Sequence, residues 1–349
     1  METSLYLHVY RVDEGLGNAC LLEFPDETCA IVDWGTQRQD ALERVLTIAK
    51  KEKLRFVAAT HAHADHTLGL PKLLRECKKR GIQVGRFVYP ASTLHRENAY
   101  LTEARIAAME CGIAMSSVSL DRFAPPGQQK PPYLAWAEDY SWEVRVLSPA
   151  LTQIGTAEIK ALKGRVVPGN ETSLVVLFHF LAPSKIKGAG RVLLPGDATP
   201  PTLNLARQTG QDFPDLAIDN QAFVVPHHGS QYNFPEWLKT YIHGIAVVSA
   251  PTDSLTHPSK EVLEHLGTWT YSSPSSKLFC TSYAKCCAKK FGATASASDQ
   301  FLVKPGSCFG DIVICVPKSS TAHFDQSSHS GHSRRQFGYC GNVAKTFKT

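Results

Sequence analysis

Short apolar runs alternate with amphipathic stretches through the first third of the chain. Leu5–Val12, Ala19–Phe24 and Cys29–Val32 are rich in apolar and β-branched residues and predict strands. They are parted by Gly15 and Gly17 and by the turn-forming Pro25-Asp26-Glu27. Asp40–Lys50 has helical spacing with its charges outward, and Arg55–Thr60 reads as the next strand. Leu68, Leu70, Leu73 and Leu74 share one side of a helix predicted over Leu68–Arg80, with a basic end at Lys78–Arg80. Arg86–Tyr89 then predicts a short strand and Asn98–Cys111 a third helix.

The middle is less regular. Phe123–Pro132 (FAPPGQQKPP) reads as a loop, Tyr140–Leu147 as a strand, and Leu151–Gly169 as a polar connection lying over a cleft. Thr172–Phe180 and Arg191–Leu194 are strand-like on either side of the turn Pro183–Gly190. Helices are expected near Thr202–Gln208, Pro235–Tyr241 and Ser259–Gly267, and strands at Ala222–Val225, Ile245–Ser249, Leu278–Cys280 and Asp311–Val316. From Ser319 the chain turns Ser/His-rich, which predicts a loose tail over 319–349 behind one domain over 1–318. Two clusters of strands with interspersed helices predict a layered α/β protein. No GxGxxG follows a strand, which argues against a doubly wound dinucleotide-binding sheet.

Composition narrows the class. Of 349 residues, 43% are hydrophobic and 20% charged, enough to bury a sizeable core and to exclude disorder throughout. Lys+Arg 37 against Asp+Glu 32 gives a net charge of +5, which permits an anionic partner without demanding one. No apolar run reaches the length of roughly 18 residues that a membrane-spanning helix needs. The opening METSLYLHVYRVDEG has no basic region followed by an apolar block, so no secretory signal is expected. Ten cysteines scattered along a long chain suit a reduced, cytoplasmic protein.

The densest chemistry lies in Thr60-His61-Ala62-His63-Ala64-Asp65-His66, between a strand end and a helix start. Three imidazoles and a carboxylate so spaced would scatter around a helix axis, but a tight strand-to-helix turn lets them converge. His61 and His63, two apart on extended chain, project together and can grip one cation. Asp65 and His66 fall at the mouth of the helix and can serve a second. Imidazole nitrogen with carboxylate oxygen suits zinc or a similar divalent metal.

HAHADH resembles the HxHxDH signature of the metallo-β-lactamase fold superfamily. Further stretches match in order: Ile31-Val32-Asp33-Trp34-Gly35, Leu194-Pro195-Gly196-Asp197-Ala198, Val225-Pro226-His227-His228-Gly229-Ser230, and Ser249 followed by His257-Pro258. With Asn170–Val175, the GDA and HHGS segments look most like the soluble hydrolase domain of ComEC-type DNA-uptake competence proteins. The resemblance runs from about Leu5 to Val316 and implies a four-layered αββα metallo-β-lactamase sandwich holding one or two divalent ions, zinc or manganese.

The implied ligands are His61, His63, Asp65, His66, Asp197 and His228. Asp197, after an apolar strand, would bridge two cations whose charge offsets its burial. His227 rivals His228; on extended chain neighbours point oppositely, so only one is expected to be a ligand. Asp33 would fix the tautomer of a metal-bound histidine. Where many superfamily members carry another histidine, this chain has Asn170, whose amide is a poor zinc ligand, leaving room for one firm and one labile ion. His179, inside an apolar run, reads as a satisfied core histidine. Asp65 and His257 are the implied catalytic groups, the first accepting a proton from water, the second meeting a phosphate or protonating a leaving group. Ser230 and Gly229 could help hold an anion with backbone N–H groups.

Cys280, Cys286, Cys287 and Cys308 could bind a structural zinc, but their spacing matches no familiar pattern and buried small hydrophobes is the preferred reading. Lys285, Lys289-Lys290, Arg334-Arg335 and Lys345 to Lys348 could follow a phosphate backbone, against a default of solvated charge. Three functions follow. The leading one is a metal-dependent phosphodiesterase acting on DNA or RNA. The second is a small-molecule ester, lactone or amide hydrolase, since the same cradle serves all of these. The third is a subunit of a multi-protein assembly, of the kind found in antiviral defence, with its partner encoded nearby.

Overall fold

The computed structural model describes residues 3–12, 17–51, 53–92, 98–120, 131–139, 141–163, 169–181, 188–250, 256–263, 265–266, 277–281, 311–318, 320 and 322–324. Among these, β1 (Ser4–Val9), β2 (Ala19–Glu23), β3 (Thr28–Trp34), β4 (Lys53–Ala58), β5 (Phe87–Pro90), β6 (Met115–Val118), β14 (Ile312–Pro317) and β15 (His323–Phe324) form one sheet. Its order is β15-β14-β1-β2-β3-β4-β5-β6. The other, of order β13-β12-β11-β10-β9-β8-β7, joins β7 (Tyr133–Trp136), β8 (Trp142–Ser148), β9 (Val175–Phe180), β10 (Arg191–Leu194), β11 (Asn220–Val224), β12 (Ile242–Val248) and β13 (Lys277–Cys280).

The sheets pack face to face through alternate residues of each strand: Leu5, Leu7 and Val9 of β1 meet Trp142, Val144 and Val146 of β8 and Val176 and Phe178 of β9 in one core. Phe24 stacks on Trp142 with ring centres 4.3 Å apart. The first sheet's outer face is covered by α1 (Gln39–Lys51), α3 (Leu70–Lys79) and α4 (Ala99–Glu110). In α1, Ala41, Leu42, Val45, Leu46 and Ala49 recur at the helical period and point inward. The second sheet is covered by α6 (Pro200–Asp212), through Leu203 and Ala206, and by the helical residues 260–263 and 265–266, through Val262, Leu263 and Leu266. Four layers result, αββα, as the sequence resemblance implies. No helix of the described residues is long and apolar enough to cross a membrane.

Pairing direction places the site. β3 runs parallel to β4, and β10 to β11 and β11 to β12, so the segments leaving these strands emerge on one rim of the sandwich. Those segments are the HAHADH, GDA and HHGS stretches, with Asp33 at the end of β3.

Local structure departs from the sequence pattern at several points. Residues Leu151–Leu162 form α5 rather than a polar connection; Gln153, whose side chain accepts from Ala150 N–H at 3.3 Å, caps its start. The helix predicted over Leu68–Arg80 forms as α3, with Pro71 in its first turn, and a separate short α2 (Ala64–Thr67) precedes it. β15 lies inside the stretch read as a tail and pairs Ile314 with Phe324, so sheet structure continues past residue 318. Residues 123–130 of the Pro/Gly loop, the remainder of the tail, and Cys286, Cys287 and Cys308 with their basic neighbours lie outside the described residues. Cys280 is buried on β13 among apolar residues.

Candidate metal centre

The HAHADH turn is held from below by backbone. Asn18 N–H donates to the carbonyl of Asp65 at 2.8 Å, and Gly35 N–H donates to Asn18 O at 2.9 Å. Gly35 has no alternative here, since a Cβ at this position would lie 1.8 Å from Asp65 O. Gly196, at φ +54, lets the GDA turn close on Thr60, whose hydroxyl would meet a Cβ at 2.5 Å. Two loops distant in sequence are thereby pressed together.

Asp33 sits behind this turn, itself at a positive φ of 60. Its Oδ2 accepts from His66 Nδ1 at 2.7 Å and from the Thr60 hydroxyl at 2.8 Å, while Oδ1 accepts Thr60 N–H at 2.7 Å. With Nδ1 committed, His66 presents Nε2 to the rim, 3.0 Å from Asp197 Oδ1 and 3.8 Å from Asp65 Oδ2. His228 is built likewise. Its Nδ1 donates to Ser249 O at 2.6 Å, and its Nε2 lies 3.1 Å from Asp65 Oδ2 and 3.8 Å from Asp197 Oδ1. On the other flank, His61 Nε2 is 3.7 Å from Asp197 Oδ2, and the His61 and His63 rings are 4.6 Å apart. Ligand atoms of Asp65, His66, Asp197 and His228 lie within 4.8 Å of one another, as do those of His61, His63 and Asp65.

His61 Nε2, His66 Nε2 and both oxygens of Asp197 are buried and make no hydrogen bond. Stranding such atoms costs on the order of 1–3 kcal/mol each, so their convergence demands an occupant that is not hydrogen-bonded protein. The charges agree. Asp33, Asp65 and Asp197 are all at most 8% exposed, so buried negative charge needs a cation beside it. Burial opposes charging His66, yet Asp197, Asp33 and Asp65 together raise its pKa well above the usual imidazole value. For Asp197, burial is outweighed by His66 and His228, which hold it ionised well below the carboxylate range. His61 is driven the other way, first by burial and then by His66, and stays neutral with a lone pair to offer. Imidazole nitrogens and carboxylate oxygens around an anionic centre fit one or two divalent cations.

Residues 12–134 match the family model described as the metallo-beta-lactamase superfamily. That segment is similar to the superfamily, and the chain has the metallo-β-lactamase fold. Its HxHxDH residues lie within the matched segment; Asp197 and His228 lie beyond it. No curated protein matches the chain in sequence. Among solved structures, the metallo-beta-lactamase fold protein YhfI from Bacillus subtilis is 9% identical, covering 79% of this chain and 96% of that one at a TM-score of 0.43. A diphosphatase from the PhnP family is 11% identical over 91% of this chain and 100% of that one, TM-score 0.41. A long-form RNase Z from yeast is 10% identical over 71% and 41%, TM-score 0.35.

The remaining expected residues fall around the centre in different ways. Asn170 is buried in the turn Gly169–Thr172, its Oδ1 without a hydrogen-bond partner, just before Leu174, whose N–H donates to Thr60 O at 2.9 Å. His257 stands at the rim, its ring 5.3 Å from that of His227. Ser230 is buried and its N–H donates to His227 O at 2.9 Å, so that group is spent within the turn instead of facing an anion. His179 lies on β9, 2.8 Å from Glu143 Oε1, as a core histidine. His227 and His228 do not lie on extended chain as expected: both have positive φ, 49 and 53, where successive side chains no longer alternate. Three supporting groups had no assigned role from sequence. Thr60 and Ser249 O are close in sequence to motifs already singled out, whereas Asn233, which holds His227, gives no signal until the turn Gln231–Asn233 is known.

Proposed function

We propose that the chain is a metal-dependent hydrolase that cleaves phosphodiesters of DNA or RNA by attack of water. The observation that carries this reading is the convergence of the buried ligand atoms of His61, His66 and Asp197 on one rim of the sandwich. His61, His63, Asp65, His66, Asp197 and His228 would hold zinc or manganese. When bound, such an ion supplies Lewis acidity to the scissile group and lowers the pKa of water toward about 7.

The chain's own groups then divide the work. Asp33 and Ser249 O fix the tautomers of His66 and His228, so that each offers Nε2. Asp65 accepts the proton that the attacking water loses. His257, half-buried at the rim, gives a proton to the departing oxygen, so the elements of water add across the broken P–O bond. The HHGS and His257-Pro258 segments, the ComEC-type resemblance they carry, and a net charge of +5 favour a nucleic-acid backbone over a neutral ester. The ten cysteines scattered along a long chain favour a cytoplasmic setting.

The test is incubation of purified protein and manganese or zinc with single- and double-stranded DNA, RNA, bis-p-nitrophenyl phosphate and a panel of esters, lactones and β-lactams. Cleavage of the phosphodiesters is expected. Turnover confined to the ester and amide panel would replace this reading with small-molecule hydrolysis.

A further inference from the structure

His227 and His228 approach Asp197 from two sides. Left-handed backbone at both residues splays their rings, with centres 6.1 Å apart. His228 Nε2 reaches toward Oδ1, at 3.8 Å, and His227 Nε2 toward Oδ2, at 3.6 Å. Oδ2 is also the oxygen that His61 Nε2 faces, at 3.7 Å. Donor atoms sharing one tetrahedral zinc lie about 3.4 Å apart, given bonds of about 2.0–2.1 Å.

We propose that His227 is a metal ligand, supplying the third imidazole on the His61/His63 flank where the chain has Asn170. The inference rests on reading the cluster as a metal centre, and it adds a ligand to that centre. Its strongest support is how His227 is held. Asn233 Nδ2 donates to the carbonyls of Asp197 and Ala198, at 3.1 and 3.2 Å, which fixes the amide and leaves Oδ1 facing His227 Nδ1 at 2.8 Å. Oδ1 only accepts, so Nδ1 carries the proton and Nε2 keeps its lone pair. An oxygen behind Nδ1 and a bare Nε2 turned to Asp197 is the construction already seen at His66 with Asp33 and at His228 with Ser249 O. Asn233 also ties His227 to the backbone that carries Asp197, so the two donors keep a fixed spacing. The Asn170 amide oxygen is a weaker donor to zinc than an imidazole, so a two-ion centre gains from a substitute.

Metal-free protein, titrated with zinc and separately with cobalt, tests this in the wild type, His227→Gln, Asn233→Ala and His63→Ala. Binding is read by competition with a chromophoric chelator and by the visible absorption of the cobalt form. The expected result is two ions in the wild type, with affinity for one falling at least tenfold in His227→Gln, as in His63→Ala, and the cobalt bands of that ion changing. Asn233→Ala should weaken the same ion about 10- to 100-fold, and it tests the proposal if His227→Gln does not fold. Matching circular dichroism and metal-free melting would show that the variants are folded. Two ions bound as in the wild type, or a single ion indifferent to both variants, would overturn the ligand assignment while leaving the metal centre intact. A wild type that binds neither metal would overturn the centre itself.

Discussion

Asp33 and His66 are 33 residues apart, and their contact of 2.7 Å sets the orientation of the centre: the carboxylate holds Nδ1, and Nε2 is thereby turned toward Asp197. The same carboxylate takes the N–H and hydroxyl of Thr60, so one side chain organises both the ligand and the turn that bears it.

Asp33→Asn should separate these duties. Asn tolerates the positive φ of 60, so the backbone survives, but the charge behind His66 is lost. Metal affinity should fall about 10- to 100-fold with little change in metal-free melting, as measured by chelator competition and calorimetry.

Glycine substitutions should divide sharply by place. Gly35→Ala drives a methyl to 1.8 Å from the Asp65 carbonyl, and should cost about 3 kcal/mol or more and displace the HAHADH turn. Gly155, inside α5 with nothing within 4 Å of an added Cβ, should gain about 0.5–1 kcal/mol on change to Ala. Chemical denaturation of the two variants decides it.

The fold was largely legible because most strands here are short apolar runs bounded by Gly, Pro and acidic turns, and helices such as α1 bury a regular stripe. β6, with its sequence MSSV, and the two-residue β15 carry no such pattern; their neighbours in the sheet define them. α5 was missed because Gly155 and scattered polar residues dilute its period. At the site, the HxHxDH spacing exposes His61, His63, Asp65 and His66 directly. Orientation was not legible: the left-handed turn at His227 and His228, and the grip of Asn233, depend on Gly196 O accepting His227 N–H at 3.1 Å from another loop.

A second buried cluster sets an acid limit apart from the metal centre. Glu143 is opposed by burial, but hydrogen bonds from His179 and Arg145 dominate and lower its pKa from 4.5 to about 2. A depressed carboxylate stabilises the fold above the unfolded-state value and loses that contribution as pH falls through the folded one. In chelator, wild-type stability should drop between pH 4.5 and about 2 more steeply than that of Glu143→Gln, which should already be weaker at pH 7. Parallel curves for the two proteins would contradict this.

His257→Ala should leave metal content unchanged and lower kcat about 10²- to 10⁴-fold for substrates with poor leaving groups. The loss should shrink for bis-p-nitrophenyl phosphate, whose leaving group departs without a proton. Equal losses on both substrate types, or lost metal, would remove His257 from the proton-donor role.

The most direct measurement is elemental analysis of dialysed protein, for the wild type, His61→Ala and Asp197→Ala, paired with phosphodiester turnover. The expected result is bound zinc or manganese with turnover in the wild type, and less metal with no turnover in either variant, all three sharing one circular dichroism spectrum. Turnover that persists in chelator, or in either variant, would contradict the metal centre described above.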